Sequence, residues 1–264
     1  MNQIESSKYN MILGALPRDT YNRLLPYLEW VQLAYGEVIY ESGREVPYAY
    51  FPTTSIVSKV YLFEDGASSE LALVGSEGFV GLGLFMGGGT LPHQAIVSRA
   101  GGSYRLRRQR FLQAFDCHSG NGDNQILFQL LLRFTQAMIT QIGQNAVCNR
   151  HHSIYQQLSR WLLLNLDRQS SNELILTQEH IAHKLGVRRE SITKAVGQLQ
   201  QKGLISYHRG HLSVTNRSGL EDQVCECYKV VKAEFDRLLP VSTDIAADQY
   251  NLRNKTLIPQ AMRL

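Results

Sequence analysis

Apolar positions change their spacing twice along this chain. From about Tyr35 to about Leu106 they fall in short alternating or β-branched stretches: "EVIY", "YAYFP", "SIVSKVYLF", "SELALVG", "HQAIVSRA" and "GSYRLR". Ser42-Gly43, Asp65-Gly66 and Gly87-Gly88-Gly89 punctuate them. Asp-Gly between two such runs is a strong hairpin cue, because the tight turn needs positive φ at its centre. Many short strands at close spacing predict an all-β sandwich or barrel.

From about Asn124 to Val147 the period becomes helical. Leu127, Leu131, Phe134, Met138, Ile142 and Ala146 recur at steps of four, three, four, four and four. Gln129, Arg133, Gln136, Thr140 and Gln144 fall on the other side. The pattern predicts a helix of roughly 36 Å at 1.5 Å per residue. Its stripe packs either on the β domain or against a second copy of the chain, and periodicity leaves both open. The sharper expectation is a dimer seam made by Leu127, Leu131, Phe134, Met138 and Ile142.

The flanks are helical. "NMILGALPRDTYNRLLPYLEWVQL" predicts one or two short amphipathic helices interrupted by Pro17 and Pro26. "SIYQQLSRWLLLNLDRQ" and "EDQVCECYKVVKAEFDRLL" each predict one more helix, and the stretch after Pro240 carries no pattern and is expected to be a loose tail. Between those two helices lies "TQEHIAHKLGVRRESITKAVGQLQQKGLI". Thr177 suits an N-cap, with Glu179 in the first turn. Ile181, Ala182 and Leu185 make an apolar face, and Gly186 provides the left-handed corner. A second helix follows from about Arg188 to Lys202, with Ile192, Ala195, Val196 and Leu199 inward. A small residue, a glycine corner and two short apolar faces are what a helix-turn-helix requires. "LISYHRGHLSVT", turning at Arg209-Gly210, adds a hairpin wing.

Charge sharpens this picture. Residues 1–150 hold twelve basic and twelve acidic side chains, and residues 151–264 hold fifteen and eleven, so the net +4 lies in the second half. Residues 177–217 alone carry seven basic against two acidic groups, which suits a polyanion partner. Arg188, Arg189, Glu190, Thr193 and Lys194 lie on the outer face at the start of the second helix. Arginine can grip guanine O6 and N7, and glutamate can accept from cytosine N4. Lysine and threonine suit phosphate oxygens, and His208, Arg209 and His211 at the wing tip suit the flanking backbone. Double-stranded DNA is the expected partner, with Thr177 included among the contact candidates.

The order of parts, together with "LTQEHIAHKLGVRRESITKAVGQLQQKGLISYHRGHLSV", "YGEVIYESG" and "GFVGLGLF", resembles the Crp/Fnr family of bacterial transcription regulators from about Leu13 to Leu220. The resemblance implies an α+β protein: an N-terminal, jelly-roll-like β-roll sensor of the cyclic-nucleotide-binding type over 1–120, and a dimerisation helix over 121–149. A winged helix-turn-helix over 150–220 and a C-terminal helix and tail over 221–264 complete it. It also implies that Arg189 and Glu190 read a G·C-containing half-site, with Lys194 at the next base-contacting place. A homodimer, RNA polymerase and a small-molecule effector are the further partners it implies.

Family members that bind cyclic nucleotides use a glutamate and an arginine in this β-roll. Here Leu82 stands near the glutamate's place and Pro92-His93-Gln94 where the arginine belongs, while Arg99 comes too late in its strand. A buried phosphate without a cation costs several kcal/mol, so cyclic AMP or GMP is not expected. No cysteine precedes Cys117 and His93 is the one histidine before His118, so neither an iron–sulfur nor a haem sensor is expected. Cys117, Cys148, Cys225 and Cys227 read as separate reduced thiols with no metal site.

The remaining alternatives are weaker. A jelly-roll metalloenzyme needs several histidines and a carboxylate, and residues 1–116 offer one histidine. No Gly-Lys-Ser/Thr follows the glycine-rich stretch and no Gly-x-Ser-x-Gly occurs, so the expectation is a non-enzyme. A winged helix that binds protein, or a ligand-binding β-roll without DNA readout, stays as the alternative. The basic run Arg105, Arg107, Arg108, Arg110 reads as a solvated strand end. No bilayer-length apolar run and no secretory pattern occur, and a cytoplasmic address is expected.

Overall fold

The computed structural model describes residues 9–114 and 123–239, with side chains from residue 126 in the second span. Cys117, His118 and the tail 241–264 lie outside the described residues. Helices α1 (Met11–Gly14) and α2 (Arg18–Leu24) lead into strands β1 (Glu29–Leu33), β2 (Val38–Tyr40), β3 (Tyr48–Pro52), β4 (Ile56–Leu62) and β5 (Ser68–Val74). Helix α3 (Leu82–Phe85), strands β6 (Gln94–Arg99) and β7 (Gly101–Arg107), and helix α4 (Arg108–Gln113) complete the domain. The strands form two antiparallel sheets, ordered β1-β7-β3 and β2-β6-β4-β5.

All six predicted strands are present. Strand β1 is additional: "EWVQL" follows Pro26, where the helical stretch ends, and it pairs along β7. Within "GFVGLGLF", Val80 bridges Tyr50 as an isolated antiparallel pair, and Gly81 at φ 129° redirects the chain into the short helix α3. Arg105 and Arg107 bond Glu29, and Arg108 pairs with Glu45, so the basic run is largely engaged within the domain.

Helix α5 (Asp123–His151) crosses this domain. Leu127, Leu131, Phe134 and Met138 are at most 2% exposed and belong to the β-domain core. The Phe134 ring lies 5.5 Å from that of Phe79, and a Cβ on Gly78 would sit 2.0 Å from Phe134. Glycine there is what lets the helix approach. The expected seam is thereby corrected: its first four residues are covered by their own chain, and Ile142 alone is exposed. The exposed large apolar residues of this helix are Ile126, Phe128, Leu132, Ile139, Ile142 and Val147, and of these Phe128, Leu132, Ile139 and Ile142 share one face. Helix α5 also covers the edge strand β5, a row of backbone groups that needs partners. Asn145 Nδ2 donates to Leu71 O at 2.7 Å, and the buried Gln141 amide meets the Leu73 N–H and C=O at 3.1 and 3.3 Å.

Helices α6 (Ile154–Leu166), α7 (Gln178–Leu185) and α8 (Arg189–Gln201) then form a head with strands β8 (Glu173–Ile175), β9 (Ile205–His208) and β10 (His211–Val214). Helices α9 (Arg217–Gln223) and α10 (Glu226–Leu238) close the chain. The head sheet runs β8-β10-β9. Its core holds Leu162, Ile181, Ile192, Leu199 and Leu212, and also Ile56 and Leu73 from the β domain. Helix α10 packs along α5, placing Leu238 and Leu239 in the β-domain core. Among the described residues no helix is long and apolar enough to cross a membrane.

One predicted C-terminal helix is in fact two. Val224 and Cys225 are extended, with φ −78°, ψ 154° and φ −71°, ψ 161°. This break overturns the reading of separate thiols. Within a continuous helix Cys225 and Cys227 would diverge, whereas here both turn toward Cys148 and His152.

Truncating Phe134 to alanine is expected to cost about 3–5 kcal/mol. Urea unfolding of the full chain measures it; a loss under about 1 kcal/mol would mean α5 is held elsewhere.

Candidate nucleic-acid interface

The corner between α7 and α8 is built as its sequence requires. Thr177 Oγ1 accepts the His180 N–H at 3.2 Å and caps α7. Gly186 ends the helix at φ 65°, ψ 36°, the left-handed conformation that a Cβ disfavours. The Val187 N–H bonds Ala182 O at 3.0 Å, closing the turn. Ile181, Ala182, Leu185, Ile192, Ala195, Val196 and Leu199 are all buried, so the two helices share one core. Helix α8 begins at Arg189, with Arg188 extended ahead of it.

That packing leaves the leading end of α8 outside. Arg188, Arg189, Glu190, Thr193 and Lys194 all reach the surface, and so do Thr177, His208 and Arg209. Besides the Thr177 cap, two of these groups have side-chain partners. Arg189 Nε lies 3.8 Å from Glu179 Oε2, and Thr193 Oγ1 donates to Gln178 Oε1 at 2.7 Å. Both are surface contacts, worth little against water and open to exchange. Thr177 is foremost a cap, since its hydroxyl is engaged at the start of α7. Strands β9 and β10 are joined by Arg209-Gly210, at φ 48° and 85°, the positive pair that a two-residue hairpin turn uses. The turn projects Arg209 away from the sheet.

The head rests on the outer face of the β domain. Buried Glu70 in β5 accepts from Ser58 Oγ at 2.6 Å and Trp161 Nε1 at 2.9 Å, and Lys184 Nζ of α7 lies 3.3 Å away. Lys184 also donates to Ser58 Oγ at 2.8 Å. A second pair, Arg168 to Glu77 at 2.6 Å, has side chains only 6% and 13% exposed. Beside these contacts is a cleft of about 850 Å³ between Tyr35, Ile96 and Arg99 on one side and Trp161, His180 and Lys184 on the other. Arg99 donates to Thr54 O at 3.2 Å and lines this cleft.

Sequence reasoning missed Lys59. It is 1% exposed in β4, on the same face as core residue Val57 and opposite Ser58. Burial pushes its pKa down to about 7. Near it, Tyr40 Oη and His93 Nε2 are 3.1 Å apart. His93 is lowered to about 4, by burial first and then by the Lys59 charge. The available signal was one cation inside the apolar run "SIVSKVYLF", at a position whose alternation faces inward.

Comparisons with known proteins agree with this layout. A family model described as a Crp-like helix-turn-helix domain matches residues 156–223, and one described as a cyclic nucleotide-binding domain matches residues 30–118. Similar solved structures include the c-di-GMP-responsive global regulator CLP of Xanthomonas campestris, at 17% identity and TM-score 0.60, covering 75% of this chain and 99% of that one. FixK2 of Bradyrhizobium japonicum has 16% identity and TM-score 0.58, covering 75% and 98%. A CRP-family transcriptional regulator from Thermus thermophilus has 19% identity and TM-score 0.59, covering 73% and 95%. At such identities the likeness shows the fold. No curated protein sequence matches the chain.

Lys59 gives this domain a definite pH dependence. Its ordinary pKa of 10.5 falls to about 7 on folding, so between those values the unfolded chain binds more protons. Stability should therefore rise with pH from about 7 toward 10, by up to about 1.4 kcal/mol per unit from this group. Urea unfolding across that range, wild type against Lys59→Met, isolates the effect: the variant should lose the rise. Parallel curves would place the ammonium in water.

Proposed function

We propose that this chain, which belongs to the Crp/Fnr family of transcription regulators, binds a near-palindromic DNA site as a homodimer. The observation that carries the reading is the exposed, basic leading end of α8 on a buried helix-turn-helix core. Arg189 reads guanine and Glu190 accepts from cytosine N4. Lys194 reaches a base edge or phosphate, and Arg188 and Thr193 meet phosphate oxygens. Thr177 stands at the N-terminus of α7, where free N–H groups favour a phosphate. His208 and Arg209 on the wing meet the flanking backbone.

The dimer is supported by the outer face of α5. Phe128, Leu132, Ile139 and Ile142 recur at steps of four, seven and three, which is heptad spacing, and all are exposed. Pairing there sets two copies of α8 about one DNA turn apart, roughly 34 Å. The regulator works in the cytoplasm and acts through RNA polymerase. Its effector is a small anion held in the β domain, where Lys59 supplies the cation that the missing arginine does not. Ser58 and Lys59 are consecutive and face opposite ways, one toward Glu70 and Lys184 and one toward the interior. A ligand drawn to Lys59 shifts β4 and, through Ser58, the seat of α7, changing the population of heads competent to bind.

Arg189→Ala should weaken binding to the selected site by about 1–3 kcal/mol and relax base preference there. Fluorescence anisotropy on cognate and random duplexes reads this; equal losses on both would make Arg189 a phosphate contact. Ile139→Glu should turn a dimer into a folded monomer in sedimentation at micromolar concentration. A wild-type monomer, or a dimer indifferent to this change, would remove the seam.

A further inference from the structure

Three buried cysteines and one histidine meet where α5 ends and α10 begins. Cys148 lies in the last turn of α5, and His152 follows one turn later, just past its end. Cys225 immediately precedes α10 and Cys227 is its second residue. Each cysteine is at most 3% exposed, and the four possible ligand atoms lie within 4.8 Å of one another. Cys148 Sγ and Cys225 Sγ are 3.6 Å apart, and Cys227 Sγ is 3.5 Å from His152 Nδ1.

These separations have a chemical meaning. A disulfide would need sulfur atoms about 2.05 Å apart, so Cys148 and Cys225 are not bonded. A tetrahedral ion with zinc's bond lengths places two thiolates about 3.8 Å apart and a thiolate and imidazole about 3.6 Å apart. These two distances are close to those edges, and the other separations are no more than 4.8 Å. An iron–sulfur cluster holds its cysteines around a multi-atom core and needs them farther apart than these.

The surroundings fit as well. His152 turns Nδ1 to the sulfur atoms while Nε2 lies 3.5 Å from Glu226 Oε2, the carboxylate partner a metal-bound imidazole commonly has. Gln157 Nε2 donates to His152 O at 2.9 Å and fixes the turn that follows the two ligands of that arm. Three thiolates and a divalent cation leave one negative charge. The buried Arg160 guanidinium lies near enough to act on both Cys148 and Cys227 and offsets it.

We propose that Cys148, His152, Cys225 and Cys227 bind one zinc ion in a closed tetrahedral site. Four protein ligands leave no open position, so the ion is structural. Soft thiolates with one imidazole select zinc over magnesium or calcium. The site clamps the start of α10 to the end of α5, two residues before α6 opens the head. It therefore fixes the joint between the long helix and the DNA-binding head, and DNA affinity becomes dependent on zinc supply. The assignment rests on the cluster alone and stands whether or not α8 reads DNA.

The test uses the full, untagged chain. Elemental analysis after dialysis should find one zinc per chain. Cobalt(II) replacement should give the intense visible bands of a tetrahedral ion and a thiolate-to-cobalt charge-transfer band in the near ultraviolet. Cys227→Ser should lose a substantial part of that charge-transfer intensity and bind the ion at least tenfold more weakly. Should that variant fail to fold, His152→Cys decides: it should keep one ion and strengthen the charge-transfer band. A chain that takes up no cobalt would overturn the proposal. So would an octahedral spectrum, an iron–sulfur absorption, or a His152→Cys spectrum identical to that of wild type.

Discussion

A helix with apolar residues on two faces can be covered by its own domain on only one of them. Helix α5 is in that position. Phe134 settles against Gly78 and Phe79, Gln141 and Asn145 satisfy the edge of β5, and that face is closed. Phe128, Leu132, Ile139 and Ile142 remain outside, in a register suited to a second copy. The head's direction of departure, the return of α10 along α5 and the meeting of the cysteines all depend on where this helix lies.

The second constraint is the cost of burying charge. Glu70 and Glu77 are taken out of water between the β domain and the head, and each has donors from the head: Trp161 and Lys184 for one, Arg168 for the other. Removing any one donor leaves a carboxylate underpaired, so the head has a defined seat rather than a loose tether. A seat of that kind can be biased. Strand β4 carries Lys59 on one face and Ser58 on the other, which puts the interior of the β domain one residue from the contact that holds α7.

Much of this is legible in the sequence. The six strands from "EVIY" to "GSYRLR", the Gly186 corner, the Arg209-Gly210 wing and the exposed set around Arg189 all follow from local patterns, which the structure contains. What is not legible depends on tertiary placement. The period of α5 marks apolar positions but cannot say which neighbour covers them, so Leu127, Leu131, Phe134 and Met138 suit a seam by pattern and belong to the core in space. Strand β1 is hidden because "EWVQL" adjoins a helical stretch. Cys225 and Cys227 look divergent in sequence because the extended residues Val224 and Cys225 lie inside an amphipathic pattern. Their partner Cys148 is 77 residues from Cys225 in the chain. Lys59 is readable from alternation, yet its significance emerges only once the strand is seen to be buried.

The most direct measurement is selection of genomic DNA fragments by the purified full-length protein, followed by sequencing, with Arg189→Ala/Lys194→Ala run in parallel. The expected result is enrichment by the wild type alone of an inverted repeat whose half-sites contain a G·C pair and are centred about one helical turn apart. Enrichment of single, unpaired half-sites would contradict the dimer. No enrichment, with or without cell extract to supply the effector, would contradict sequence reading by α8 altogether.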